Sequence, residues 1–273
     1  MLRVMTWNLW WRFGPWPARQ AAIAAVLAEQ SADLIGLQEV WAAEGGTNQA
    51  EALGEQLGFH VAHGELRFRN GLAFTNAVLS RWPFEWHDHV VLPDANGGAS
   101  HRQAVVARVA SPFGPVLFVT THLDWAFDGS ATRQAQATAL CRLVDAYRPD
   151  PADGFPVVLT GDLNAVPHSD EVRMLTGAAP VPVPGLAFTD AWEVAGGAGA
   201  GHTWHGANPY LADASFPNRR LDYVLVSWPR PKPLGSVRTV RLAGTEPVEG
   251  VMASDHYAVV AELRTDRGPD LRS

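Results

Sequence analysis

Apolar runs in this chain stop repeatedly at a polar side chain, and the stops fall where strands should end. Leu2, Val4 and Thr6 alternate with Arg3, Met5 and Trp7, a two-residue period that predicts a first strand ending at Asn8. Pro17 opens a helix whose Ile23, Val26 and Leu27 form one apolar stripe, ending near Ser31. The run from Asp33 to Glu39 is a nearly apolar strand that stops at Glu39, where a carboxylate is costly to desolvate unless a cation faces it. Thr47 to Leu57 reads as a second helix. Phe59 to Val109 reads as several antiparallel strands joined by Gly, Pro and Asn turns, one of them Leu72 to Arg81 with Asn76 in its middle.

Val116 to Leu123 is a further buried strand, ending at His122, and a helix follows from about Ser130 to Tyr147, stopped by Pro149. Pro156-Val157-Val158-Leu159-Thr160 then delivers Gly161-Asp162-Leu163-Asn164. Asp162 and Asn164, two apart, are either the cap of the next helix or an acid and an amide facing one way at a strand end. Gly177 to Gly185 should be an extended loop, and the glycine-rich run Gly196 to Gly201 a flexible one, since neither a preceding strand nor a following Lys-Ser/Thr makes it a phosphate cradle. A long loop from His205 to Asn218 leads to a strand with Asp222 at its start, and after two more strand-like runs comes Ala253 to Val260 with Asp255 and His256. Strands alternating with helices argue for a layered α/β fold. No linker separates two cores, so residues 1–265 read as one domain and 266–273 as a tail.

The 47% hydrophobic and 18% charged content is that of a globular chain, and no apolar run of about 18 residues exists to span a bilayer. No signal segment is visible before the first strand, so the expected compartment is cytoplasmic. Cys141 sits in an apolar helical pattern and reads as a buried structural thiol; His87 and His89, without a third ligand, read as a surface pair. Trp10, Trp11, Phe13 and Trp16 in one Gly-Pro loop read as a satellite core or as a wall for a ligand. With 21 basic against 28 acidic residues and a net charge of −7, nucleic acid is disfavoured as a partner, though a local basic groove would still admit it.

The residues at strand ends suit one chemistry. Asn8, Glu39 and Asp255 can supply the oxygen ligands that Mg²⁺ or Mn²⁺ prefers. Asp162, Asn164, His122 and His256 can hold a water and donate to phosphoryl oxygens, and Asp222 can fix the tautomer of His256. No Gly-x-Ser-x-Gly elbow offers a serine nucleophile instead.

In order and spacing, Thr6-Trp7-Asn8, Gln38-Glu39, Thr121-His122-Leu123, Gly161-Asp162-Leu163-Asn164, Arg220-Leu221-Asp222-Tyr223 and Ser254-Asp255-His256 resemble the endonuclease/exonuclease/phosphatase superfamily. The resemblance implies a four-layered sandwich of two mixed β-sheets flanked by helices, with a Mg²⁺-dependent phosphoesterase site at one edge. It further implies metal binding by Glu39 with Asn8 and Asp255, water activation by Asp162 beside Asn164, pairing of His256 with Asp222, and donation by His122 to the phosphate. Abasic-site endonucleases carry an acid two residues after the first Asn, where this chain has Trp10. Asn76, expected as a phosphate contact, and the Arg133-x-x-Gln136 helix resemble the sphingomyelinase-like and general bacterial members instead. The expected activity is hydrolysis of a small-molecule, nucleotide or lipid-headgroup phosphoester. The alternatives are a nuclease and an inactive binding protein on the same scaffold, and no obligate protein partner is evident.

Overall fold

The computed structural model describes residues 1–150, 154–196, 199–212, 218–228, 230 and 232–267. Alternation builds the strands as expected. In β1 (Leu2–Asn8) and β2 (Leu34–Ala43), Leu2, Val4 and Leu34 point to one face of the sheet, Met5, Trp7, Ile35 and Leu37 to the other. These pair in parallel and join β3 (His60–His63), β4 (Leu72–Ser80), β11 (Val237–Ala243) and β12 (Ala258–Leu263) in a six-stranded sheet of order β11-β12-β1-β2-β4-β3. The second sheet contains β5 (Phe84–Pro93), β6 (Ala99–Ser111), β7 (Gly114–His122), β8 (Val158–Asp162), β9 (Ala187–Asp190) and β10 (Asp222–Trp228), in the order β5-β6-β7-β8-β10-β9.

The two sheets face each other across a core that takes Leu2, Val4, Leu34 and Val78 from one and Val105, Phe118, Val158 and Val224 from the other. Helix α1 (Trp16–Gln30) covers the outer face of the first sheet with Ile23 and Leu27, and α2 (Gln49–Leu57), capped by Asn48, lies beside it. Helix α3 (Ser130–Tyr147) covers the second sheet with Leu140, Leu143 and Val144, and α4 (Asp170–Thr176) packs against it. This is the expected four-layered sandwich. No helix among the described residues is long and apolar enough to cross a membrane.

Two boundaries differ from the sequence reading, both at the site. The strand expected to stop at Glu39 runs on to Ala43; its pairing with β4 slips between Leu37 and Val40, a bulge that takes Glu39 out of the ladder at φ +54°. The last strand begins at Ala258, so Ser254, Asp255 and His256 form the turn before it. Because β12 is antiparallel to β1, that turn lies at the same sheet edge as the end of β1. Of the glycine-rich run, Gly197 and Ala198 lie outside the described residues, as do Phe216 of the long loop and 268–273 of the tail.

At Gly36 the two sheets approach closely under that edge. A Cβ there would strike the hydroxyls of Thr160 and Thr120. Beside it, Gln38 Nε2 donates to Thr6 Oγ1 (3.1 Å) and Thr120 Oγ1 (2.9 Å), a buried polar tie between the layers. Gly36→Val is expected to lower the unfolding free energy by roughly 1–3 kcal/mol through overpacking, read as a drop in the urea midpoint; an unchanged midpoint would contradict this packing.

Candidate active site

Sheet register brings the polar strand ends together. In the second sheet His122 of β7 lies opposite Asp162 of β8, and Asp162 lies opposite Asp222 of β10, so three neighbouring strands line these side chains in one row. Gly161 permits the close pairing, since a Cβ there would collide with the Thr121 carbonyl. From the first sheet Asn8 reaches across: its Nδ2 donates to Glu39 Oε1 (3.1 Å) and Asp162 Oδ2 (3.0 Å). The His256 turn is fastened to β1 by Ser254 Oγ donating to Asn8 O (2.7 Å) and Trp7 Nε1 donating to His256 O (2.9 Å).

Asp162 is the most heavily engaged carboxylate. Its Oδ1 accepts the Asn164 N–H (2.8 Å), and its Oδ2 lies 3.5 Å from His122 Nε2 and 3.8 Å from His256 Nε2. Burial alone would raise its pKa; the His256 charge, the Asn8 amide and the Asn164 N–H act against burial and favour the ionised form. His256 Nδ1 bonds Asp222 Oδ2 at 2.8 Å. Burial opposes its charge, but Asp222, Asp162 and Asp255 overcome that and raise it well above the ordinary histidine value. His122 goes the other way, down to about 3, through burial first and then the Arg102 charge, with Asp162 only partly opposing. Asn164 Nδ2 donates to Leu123 O (3.2 Å) and to His122 Nε2 (2.9 Å), so the neutral ring carries its proton on Nδ1. That buried Nδ1 has no partner among the described residues.

Glu39 and Asp255 differ from the rest: both keep part of their surface open, and neither has an ion-pair partner among the described residues. Burial of the carboxyl, then Asp255, pushes Glu39 up to about 7; burial pushes Asp255 up to about 6 against His256 and Arg19. Arg19 cannot neutralise them by hydrogen bonding, because its donors go to the carbonyls of Leu9, Trp10, Trp11, Phe13 and Ala253. Two hard oxygen donors of like charge without a cation fit a divalent metal ion. Asp162, Asp222 and His256 also place ligand atoms within 4.8 Å of one another, but there the imidazolium already compensates the carboxylates. Asn8 Oδ1 accepts the Trp10 N–H (2.9 Å), which fixes the amide so that it offers this site donors.

Asn76 is buried nearby, with Nδ2 donating one of its two N–H groups to Gln103 O (2.8 Å) and Oδ1 an acceptor without a partner among the described residues. Arg133 holds α3 to α4 through Glu171 (2.5 Å) and fixes the loop after His122 through the Asp124 and Ala126 carbonyls. The aromatic loop is partly exposed: Trp10 packs on Tyr210 (4.5 Å) and Trp16 on Trp41 (5.3 Å), each only half-buried, and Phe13 is 49% exposed. His87 lies exposed on β5 beside partly exposed His89, and buried Cys141 has its thiol pushed up to about 12 by burial. Sequence reasoning passed over Arg102. Its signal was a charge two residues ahead of the apolar run Ala104-Val105-Val106, on β6 of the second sheet, whereas Asn76 lies on β4 of the first.

A family model described as the Endonuclease/Exonuclease/phosphatase family matches residues 5–256, and the chain belongs to that family. It is a metal-dependent hydrolase of phosphoric ester bonds. Similar solved structures include D. rerio TDP2 complexed with a single-strand DNA product (18% identity, TM-score 0.74, 95% of this chain and 97% of that one). An endonuclease/exonuclease/phosphatase from Bacteroides vulgatus matches at 19% identity and TM-score 0.73, over 96% of this chain and 99% of that one. Another from Beutenbergia cavernae matches at 25% identity and TM-score 0.66, over 96% and 71%. No curated protein matches the sequence.

Glu39 makes a pH signature. Its folded pKa of about 7 exceeds the ordinary 4.5, so the stability it contributes is complete below 4.5 and lost as pH rises towards 7. With chelator present, the wild-type urea midpoint should therefore fall relative to that of Glu39→Gln between pH 4.5 and 7; parallel midpoints would show that Glu39 is not raised.

Proposed function

We propose that the chain is a Mg²⁺- or Mn²⁺-dependent phosphodiesterase whose working carboxylate is Asp162. The observation that carries this reading is an ionised Asp162, fixed by Asn8 and Asn164, beside two open carboxylates that lack a cation. Glu39 and Asp255 hold the metal, and Asn8 ties that pair to Asp162 by donating to both Glu39 and Asp162. A bound divalent ion supplies positive charge for the phosphoryl oxygens. Asp162 orients the attacking water and takes up its proton. His256, kept as an imidazolium by Asp222, presents Nε2–H to the developing negative charge, and neutral His122 donates from Nδ1. Asn164 positions both Asp162 and His122.

Glu39, Asp162, Asp222 and Asp255 face the His256 imidazolium, Arg102 and Arg19, so a divalent ion leaves the site with about one positive charge. A singly charged diester suits such a site better than a doubly charged monoester.

For the substrate, the small-molecule, nucleotide or lipid-headgroup reading keeps its support from the net charge of −7. The half-exposed tryptophan loop, with Phe13 exposed, also leaves apolar surface for such a substrate. A nucleic-acid substrate gains support from Arg102 beside His122, from Arg67 and Arg69 in the adjoining groove, and from the likeness to a TDP2 solved with a DNA product.

The test is hydrolysis of bis(p-nitrophenyl) phosphate. Chelator should abolish it and Mg²⁺ or Mn²⁺ restore it, while Asp162→Asn and His256→Ala lower kcat by about 10²-fold to 10⁴-fold without changing the circular dichroism spectrum. Undiminished turnover in excess chelator, or full activity in Asp162→Asn, would overturn the assignment.

A further inference from the structure

The loop between β7 and α3, residues 124–129, leaves the catalytic edge directly after His122 and Leu123 and is held from beneath. Arg133 Nη1 donates to the Asp124 and Ala126 carbonyls (3.2 and 2.6 Å), and the Asp124 N–H donates to Gln136 Oε1 (2.9 Å). The Ala126 N–H donates to Asp124 Oδ1 (3.0 Å), and the Gly129 N–H closes the loop on Ala126 O (2.9 Å). Arg133 is itself fixed by buried Glu171, which also accepts from Ser130 Oγ (2.8 Å). A buried ion pair is expensive to desolvate, and this one sets the shape of a loop whose two large side chains face solvent. Trp125 is 67% exposed and Phe127 57%. Rings left in water add nothing to the core, so their ordered display suits a surface that covers them.

Two other loops of the same edge carry an exposed ring, Phe13 between β1 and α1 and Phe68 between β3 and β4. The hollow beside His122 is walled by Phe74, Arg102 and Gln103 and by none of these four rings, which stand around the site as tips. Each ring has an arginine nearby: Arg12 precedes Phe13, Arg67 and Arg69 flank Phe68, and Arg219 lies 5.7 Å from the Phe127 ring. Glu65, Asp124 and Asp128 on the same loops nearly match these charges, with Glu65 2.7 Å from Arg67. Stacking platforms for a nucleic-acid strand combine rings with a cationic track, which this balanced rim lacks. Rings and guanidinium groups side by side fit the headgroup layer of a zwitterionic membrane, where the rings meet the apolar boundary and the arginines meet lipid phosphates.

Resting on the phosphodiesterase reading, we propose that this edge docks on a phospholipid surface, with Trp125 and Phe127 as its principal tips and Phe13 and Phe68 beside them, and presents a headgroup phosphodiester to Asp162. The diester of a phospholipid lies in the layer that the rings enter, so the site reaches it without drawing acyl chains into water, a step that costs free energy for every CH₂ group exposed. Hydrolysis there adds water across one P–O bond, releases an alcohol and leaves a phosphomonoester.

The first measurement is cosedimentation with sucrose-loaded dioleoylphosphatidylcholine vesicles, in chelator, at low and high salt. Wild type should bind at both salt concentrations, and Trp125→Ala/Phe127→Ala should bind about tenfold more weakly. Trp228→Ala, which removes an exposed ring at the opposite end of the second sheet, should bind like wild type. The second measurement is headgroup hydrolysis with Mg²⁺ in vesicles of phosphatidylcholine, phosphatidylethanolamine, phosphatidylinositol or sphingomyelin. At least one should be cleaved, at a rate that falls in the double variant as binding falls. Absence of vesicle binding, binding that the double variant keeps or that high salt removes, or cleavage of none of these lipids would overturn the docking surface. A double variant that loses affinity for a single-stranded oligonucleotide, with no vesicle binding by wild type, would assign the rings to bases instead. Vesicle binding needs no turnover and bis(p-nitrophenyl) phosphate needs no surface, so failure to hydrolyse that reporter would overturn the phosphodiesterase reading separately.

Discussion

Four carboxylates converge on one edge of this sandwich, and the rest of the site exists to make that tolerable. Asp162, Asp222, Glu39 and Asp255 are each penalised by burial, and like charges nearby compound the penalty. The protein resolves it unevenly. Asp162 is surrounded by donors, Asp222 is held through Oδ2 by His256, and each keeps a fixed geometry. Glu39 and Asp255 receive far less, and it is at these two that a divalent cation would relieve the most repulsion. The same division separates the proposed metal ligands from the groups that handle protons.

Sheet pairing is what makes the arrangement rigid. His122, Asp162 and Asp222 occupy laterally matched positions on three hydrogen-bonded strands, so moving one relative to the others would break the ladder. The second sheet is then keyed to the first by Asn8 above and by Gln38, Thr6 and Thr120 beneath. At this edge Glu39, Trp10, Trp11 and Asn164 all take positive φ, in loops and a bulge. Arg19 holds the Trp10–Phe13 loop by its carbonyls, which gives this buried arginine a structural role.

The layered fold and most of the site were legible in the sequence because both rest on short-range signals: a period of two, a period of 3.6, and a polar residue ending an apolar run. Asn8, His122 and Asp162 sit at strand ends as their positions suggest. Glu39 was found for a partly mistaken reason, since a bulge inside a longer strand produces the same local pattern as a strand end. Asn76 was found, yet which of its atoms is free depends on the Gln103 carbonyl from the opposite sheet, a contact 27 residues away that no local pattern encodes. Arg102 was missed for the same reason. Its meaning lies in the carboxylates of Glu39, Asp162 and Asp124 that it faces, and only the fold shows which groups are within reach.

The account depends on two histidines a few ångströms from one carboxylate holding opposite charge states. His256 is charged because carboxylates surround it; His122 is neutral because burial and Arg102 outweigh Asp162. Nitrogen-15 NMR of histidine-labelled, metal-free protein reads this directly. At pH 7.5 His256 should show the imidazolium pattern with both nitrogens protonated, and His122 the neutral Nδ1–H tautomer persisting below pH 5. A neutral His256 at pH 7.5, or a His122 that titrates near 6.5, would contradict the charge arrangement on which the proposed chemistry stands.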